Sequence, residues 1–123
     1  MKKTKEGDVL KACLDYLELR GIFAWRNNSG AVVSSYTRKG DGKTKSRFIR
    51  YGYPGSGDII GLLPHGRFLS IEVKKPGSRT EPKRKEAQEA FAARIRASGG
   101  LALRVDSLDL LIESLGEINS LSP

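Results

Sequence analysis

Cysteine, histidine, tryptophan and methionine each occur once in 123 residues. The lone cysteine, Cys13, excludes an intramolecular disulfide and a cysteine-based zinc cluster. The lone histidine, His65, excludes multi-histidine metal sites, so any metal would have to sit on carboxylate oxygens. No run approaches 18 apolar residues, and no transmembrane helix is expected. Lysines open the chain without an apolar stretch behind them, which reads as no signal peptide and a cytoplasmic protein. Acids are also in the minority. Against 22 lysines and arginines stand 14 aspartates and glutamates, for a net charge of +8. A small domain this basic fits a polyanionic partner, most often nucleic acid. With 38% hydrophobic and 29% charged residues, the chain suits one folded domain spanning 1–123 rather than a disordered one.

The first periodic segment runs from Lys5 to Leu19, with Val9, Leu10, Cys13, Leu14, Tyr16 and Leu17 at helical spacing. A short β-like run, Ile22–Trp25, and a second, Ala31–Thr37, flank the turn Arg26-Asn27-Asn28-Ser29-Gly30. Trp25 reads as core. A cationic loop with Asp41-Gly42 at its tip leads to the start of a short strand near Phe48. Two runs, Asp58–Leu63 and Phe68–Lys74, surround the turn Pro64-His65-Gly66-Arg67 and form a hairpin. Thr80 is placed as the cap of a second helix that tolerates Pro82 in its first turn and ends near Ala97. Leu101–Val105 is a last strand, and Asp106 or Ser107 caps a short helix ending near Leu115. The predicted order is α-β-β-β-β-α-β-α, an α/β (α+β) fold with a mixed sheet between helices.

In Phe68–Lys74, Glu72 and Lys74 fall on one strand face, opposite Leu69, Ile71 and Val73. A carboxylate and an ammonium beside an apolar strand cost desolvation unless they are paired or used. A simple ion pair at a sheet end is the bland alternative. Asp58 shifts the balance, because the hairpin returns it to the same neighbourhood. If Leu63 pairs with Phe68, Asp58 falls opposite Val73, on the wrong face. A one-residue change in the turn, or a bulge, would place it beside Glu72 or Lys74, and such an irregularity is predicted. Two carboxylates and a lysine grouped this way suit a hard cation, with the lysine offsetting charge on a phosphate.

Gly55-Ser56-Gly57-Asp58 followed by Glu72-Val73-Lys74 resembles the PD-(D/E)xK nuclease core. Together with Leu14-Asp15-Tyr16-Leu17, Ala24–Gly30, Gly57–Gly61 and Gln88 before Phe91, the chain is similar to the VRR-NUC family in its small stand-alone phage and bacterial form. The resemblance runs from about Glu6 to Leu110. It implies a restriction-endonuclease-like core, with Asp58, Glu72, Lys74 and Gln88 catalytic. It implies Mg²⁺ or Mn²⁺ on Asp58, Glu72 and the Val73 backbone carbonyl, with Glu6 as an accessory ligand and no organic cofactor. The proline usual before the aspartate is absent. Leu10 stands where relatives carry glutamine, which removes a polar contact from the first helix.

The resemblance also implies a homodimer that cuts branched DNA such as four-way junctions, leaving 5′-phosphate and 3′-hydroxyl ends. Phosphate contacts are expected from the basic loop residues Arg38, Lys39, Lys43, Lys45, Arg47 and Arg50. Lys74, Lys75, Arg79, Lys83, Arg84 and Lys85, following the catalytic strand into the second helix, form a second cluster, with phosphate contacts expected from Lys75, Arg79 and Lys83, and Arg26 and Asn28 are placed near the phosphate path. Tyr36, Tyr51 and Tyr53 flank the basic loop. A catalytically silent junction- or duplex-binding protein and a basic RNA-binding module are the competing readings; the second leaves Asp58, Glu72 and Lys74 without a role.

Overall fold

A computed structural model describes residues 6–116. Helix α1 (Glu6–Leu19) buries Val9, Leu10, Cys13 and Leu17, the stripe that its spacing dictates. It closes with Gly21 N–H on Glu18 O and Ile22 N–H on Leu17 O. Then come β1 (Phe23–Arg26), β2 (Gly30–Thr37), β3 (Thr44–Tyr51), β4 (Ile59–Leu63), a 3₁₀ turn (Pro64–Gly66) and β5 (Arg67–Val73). Helix α2 (Pro82–Ala97), β6 (Leu101–Val105) and helix α3 (Leu108–Gly116) complete the chain.

The main sheet has the order β1-β4-β5-β6. Pairs β1–β4 and β4–β5 are antiparallel, and β5–β6 is parallel, as a crossover through α2 requires. One face of this mixed sheet presents Ile59, Leu63, Leu69, Ile71, Val73 and Val105 to α1 and to Leu111 and Leu115 of α3. These side chains form the core. The opposite face carries Phe68, Ser70 and Glu72 on β5, and α2 lies over its β5–β6 half. Ser107 caps α3 by accepting from Leu110 N–H at 3.1 Å. Among the described residues, no helix is long and apolar enough to cross a membrane.

Four expectations need correction. Five strands, not four, separate α1 from α2, because residues 44–51 are a full strand rather than mostly loop. β2 and β3 pair only with each other, as a separate two-stranded sheet. Helix α2 is capped by Glu81, whose side chain accepts from Lys83 N–H, and Thr80 is otherwise engaged. Trp25 is not core but 43% exposed. β1 is an edge strand, and α2 does not extend over it.

Candidate active site

The β4–β5 register decides the geometry. Leu63 pairs with Arg67, Leu62 with Phe68 and Ile59 with Ile71. The turn is thus one residue tighter than a Leu63–Phe68 pairing would give. His65 absorbs it with a positive φ of 67°. Continued by one residue, this register brings Asp58 opposite Glu72, the irregularity that the sequence demanded.

Asp58 is fixed at both ends. Its carboxylate Oδ2 accepts from Val73 N–H at 2.8 Å, and its carbonyl accepts from Asn27 N–H at 2.7 Å. The preceding glycine loop is held from two sides. Asn27 Nδ2 donates to Ser56 Oγ and to Gly57 O, at 2.8 and 2.9 Å. Gly57 lies so close to β5 that a Cβ there would stand 2.4 Å from Ser70 Oγ. Gly55, at φ 80°, presses on α2, where a Cβ would come within 2.2 Å of Ala87 O. Gly55→Ala therefore combines left-handed strain with a backbone clash, and should cost on the order of 3 kcal/mol. A denaturant midpoint equal to that of the unsubstituted protein would show that this loop is not pinned to α2.

Glu72 is 9% exposed. Burial, then the Asp58 charge and a hydrogen bond with Asp58, push its carboxyl up to about 8; Lys74 and Arg84 offset part of this. The Glu72 carboxyl accordingly favours its protonated form near neutral pH. Gln88 Nε2 donates to Glu72 Oε1 at 2.9 Å, so α2 orients the carboxyl from above. Gln88 Oε1 is buried without a hydrogen-bond partner. Lys74, next on the same face, donates to Thr80 Oγ1. Burial, Arg104 and Arg84 lower its pKa, against the opposing pull of Glu72 and Glu6. Two opposed carboxyl groups, one of them disfavoured in its charged form, beside an orphaned acceptor oxygen, are a donor set that fits a hard divalent cation.

The other predicted residues are placed as follows. Glu6 lies exposed in the first turn of α1, and its charge acts on Lys74. No cluster of three metal-ligating His, Cys, Asp or Glu side chains occurs among the described residues. Arg26 ends β1 opposite Ile59, next to the Asp58 strand, and Asn28 follows in the exposed turn. Lys45, Arg47 and Arg50 project from β3, while Arg38, Lys39 and Lys43 lie around the hairpin tip, where Arg38 pairs with Asp41 at 3.4 Å. Lys75, Arg79 and Lys83 are exposed between Lys74 and the first turn of α2.

Sequence reasoning gives Asn27 and Arg104 no site role, and it sees Thr80 only as a helix cap and Arg84 only as part of a basic cluster. Asn27 ties the glycine loop to β1. Thr80 holds Lys74. Arg104 stands opposite Glu72 in the β5–β6 register, and Arg84 on α2 acts on both Glu72 and Lys74. Only Asn27, in a turn beside a glycine loop, carried a local signal; the rest depend on pairing across the α2 crossover.

No family model matches the chain, and no curated protein matches it. Among solved structures, one described as a "VRR_NUC domain" matches with a TM-score of 0.52 and 22% identity, over 92% of this chain and 96% of that one. The chain has the VRR_NUC fold. Asp58, Glu72 and Lys74 lie at one end of the β4–β5 hairpin, and Gln88 of α2 bonds to Glu72 there.

Proposed function

We propose that this protein is an Mg²⁺- or Mn²⁺-dependent deoxyribonuclease, an endonuclease acting on branched DNA such as four-way junctions, and that it works as a homodimer. The observation that carries the reading is the opposed pair Asp58 and Glu72, with Lys74 beside it and Gln88 closing over it. The nuclease name of the matching structure supports it.

Asp58, Glu72 and the Val73 carbonyl would hold the cation. When bound, it would neutralise charge on the scissile phosphate and on the leaving oxygen. The chain's own residues do the rest. Val73 N–H and Gln88 fix the two carboxylates, so that they meet the site without reorganising. Lys74, steadied by Thr80, orients a water beside the phosphate and offsets the charge that develops there. Arg84 and Arg104 draw the phosphate towards the pair. The water releases a proton to solvent as its oxygen attacks phosphorus in line, the P–O3′ bond breaks, and the departing 3′ oxygen takes up a proton from solvent. The products are a 5′-phosphate and a 3′-hydroxyl.

The basic hairpin and the Lys75–Lys83 segment flank the site and would track phosphates on either side, making binding strongly salt-dependent. The test is cleavage of labelled four-way junction, flap, linear duplex, single-stranded DNA and single-stranded RNA, with Mg²⁺ or with chelator. Junction cutting in Mg²⁺ alone, with nicks that a ligase reseals, is the expected result. Cutting of linear duplex alone would remove the junction selectivity. Preference for the RNA strand without cleavage would replace the enzyme with a binding module.

A further inference from the structure

More than half of the chain's net charge of +8 sits on one arm. Between Gly30 and Tyr51, six lysines and arginines stand against one acid, Asp41. The arm is the β2–β3 hairpin, a ribbon whose strand residues are all exposed and which pairs with no third strand. A lone ribbon is marginally stable in water. Positive charge concentrated on it fits a polyanion as the surface that completes it.

The register sorts the side chains onto two faces. Lys45, Arg47 and Ile49 of β3 share one with Val32, Ser34 and Tyr36 of β2. Val33, Phe48 and Arg50 lie on the other, where Ser35 meets Ser46 at 3.2 Å and Thr37 meets Thr44 at 3.3 Å. The two faces hold their cations differently. Arg50 lies over the Phe48 ring, 5.6 Å from its centroid. Lys45 and Arg47 form no ion pair and lie over no ring among the described residues. Next to them, Val32 and Ile49 are 50% and 42% exposed. Contact with phosphates alone would leave these aliphatic side chains in water. Contact with base edges would cover them, because the thymine methyl offers an apolar surface there.

Dimensions favour the major groove of B-form DNA. Successive residues on one strand face are roughly 6.5–7 Å apart, which is two steps of a duplex rising about 3.4 Å per base pair. Lys45, Arg47 and Ile49 thus fall in step with alternate base pairs. The major groove, about 12 Å wide, admits a two-stranded ribbon, whereas the undistorted minor groove is only about 6 Å wide. A single strand fits less well. Tyr36 and Tyr51, the rings on this face, stand six register positions apart, roughly 20 Å, too far to stack successive bases.

We propose that the Lys45–Arg47–Ile49 face lies in the major groove of a B-form duplex arm beside the cut, where Arg47 donates to guanine O6 and N7. The inference rests on the nuclease reading above and deepens it, from branched DNA in general to a branch that presents a B-form arm. The root of the ribbon is anchored at the site, since Asn27 N–H donates to Asp58 O and the Asn27 side chain holds the glycine loop. The eight register pairs span roughly 25 Å, so the contact covers about seven base pairs from the cut. An RNA duplex is excluded, because its A-form major groove is too narrow for a ribbon.

The test is methylation of guanine N7, a major-groove atom, by dimethyl sulfate. The probe is a labelled four-way junction with guanines at alternate positions near the branch, bound by the unsubstituted protein in chelator. Protection of roughly threefold or more is expected, confined to about seven base pairs of an arm next to the branch. Arg47→Ala should restore reactivity at the guanine it contacts and lower affinity about tenfold, with native circular dichroism. Phe48→Ser, on the other face, should keep the footprint. An RNA duplex of the same sequence should bind at least about tenfold more weakly than the DNA duplex, and the minor-groove ligand netropsin should not displace the protein. Binding that leaves every N7 reactive would overturn the proposal, as would displacement by netropsin or equal affinity for the RNA duplex. A footprint lost in Phe48→Ser and kept in Arg47→Ala would also overturn it, by turning the other face to the bases. Junction cutting in Mg²⁺ without N7 protection would overturn the placement of the ribbon alone. Protection without cutting would overturn the nuclease reading alone and leave the ribbon in the groove.

Discussion

Lys74→Ala should lower Mg²⁺-dependent cleavage by about 10²–10³-fold, the usual cost of deleting one preorganised charge that faces a developing anion. Folding should survive. Lys74 is already strained towards its neutral form by burial and by Arg104 and Arg84, so removing its charge relieves repulsion, and Thr80 can turn to water. Junction affinity should fall by less than about tenfold, because the remaining lysines and arginines still neutralise phosphates. Asp58→Asn should give a loss of the same order by a different route. Its amide cannot accept from Val73 N–H and present an anion to a cation as the carboxylate does. Single-turnover cleavage on saturating protein, with binding measured in parallel, separates these effects. A Lys74→Ala protein cutting within threefold of the unsubstituted rate would remove this lysine from the chemistry.

In chelator, the protein should lose stability as pH rises from about 4.5 towards about 8, and Glu72→Gln should abolish that loss. The sign follows from the folded carboxyl titrating near 8 against 4.5 for the free group. Between these values the unfolded chain has released the proton and the folded chain retains it. Folding then takes up a proton and weakens with rising pH. The stability from the raised pKa is fully present below about 4.5 and gone above about 8. Water reaching the pair tempers the effect, leaving roughly 2–4 kcal/mol. At pH 9 without metal, Glu72→Gln should therefore melt several degrees higher than the unsubstituted protein. Added Mg²⁺ should raise the melting temperature of the unsubstituted protein at pH 8–9 and barely move that of the variant. Melts between pH 5 and 9 decide it. A Glu72→Gln protein less stable than the unsubstituted one at pH 9 would contradict a buried Glu72 carboxyl that keeps its proton near neutral pH.

The heart of the site was legible because its determinants are local. Alternation along β5 fixes which residues accompany Glu72, and the count across one tight turn shows that Asp58 needs a one-residue adjustment. The turn supplies it at Leu63–Arg67. Gln88 betrayed itself as a polar residue on the apolar face of α2 that needed a buried partner, and Glu72 is that partner. What stayed hidden depends on distant pairing. Arg104 meets Glu72 only through a parallel strand placed by the whole of α2. Trp25 has the composition of a core residue, and only the extent of α2 leaves it open. Residues 44–51 alternate charge with Phe48 and Ile49, so composition read as loop what cross-strand pairing with β2 makes a strand.

The central claim is that Asp58, Glu72 and Lys74 form one phosphodiester-cleaving site. It is tested most directly by incubating a labelled four-way junction with the unsubstituted protein, in Mg²⁺ and in chelator, and reading binding and cleavage from the same samples. The account predicts binding in both and cleavage only in Mg²⁺. Binding in both, with the junction intact in Mg²⁺ and in Mn²⁺ alike, would contradict it.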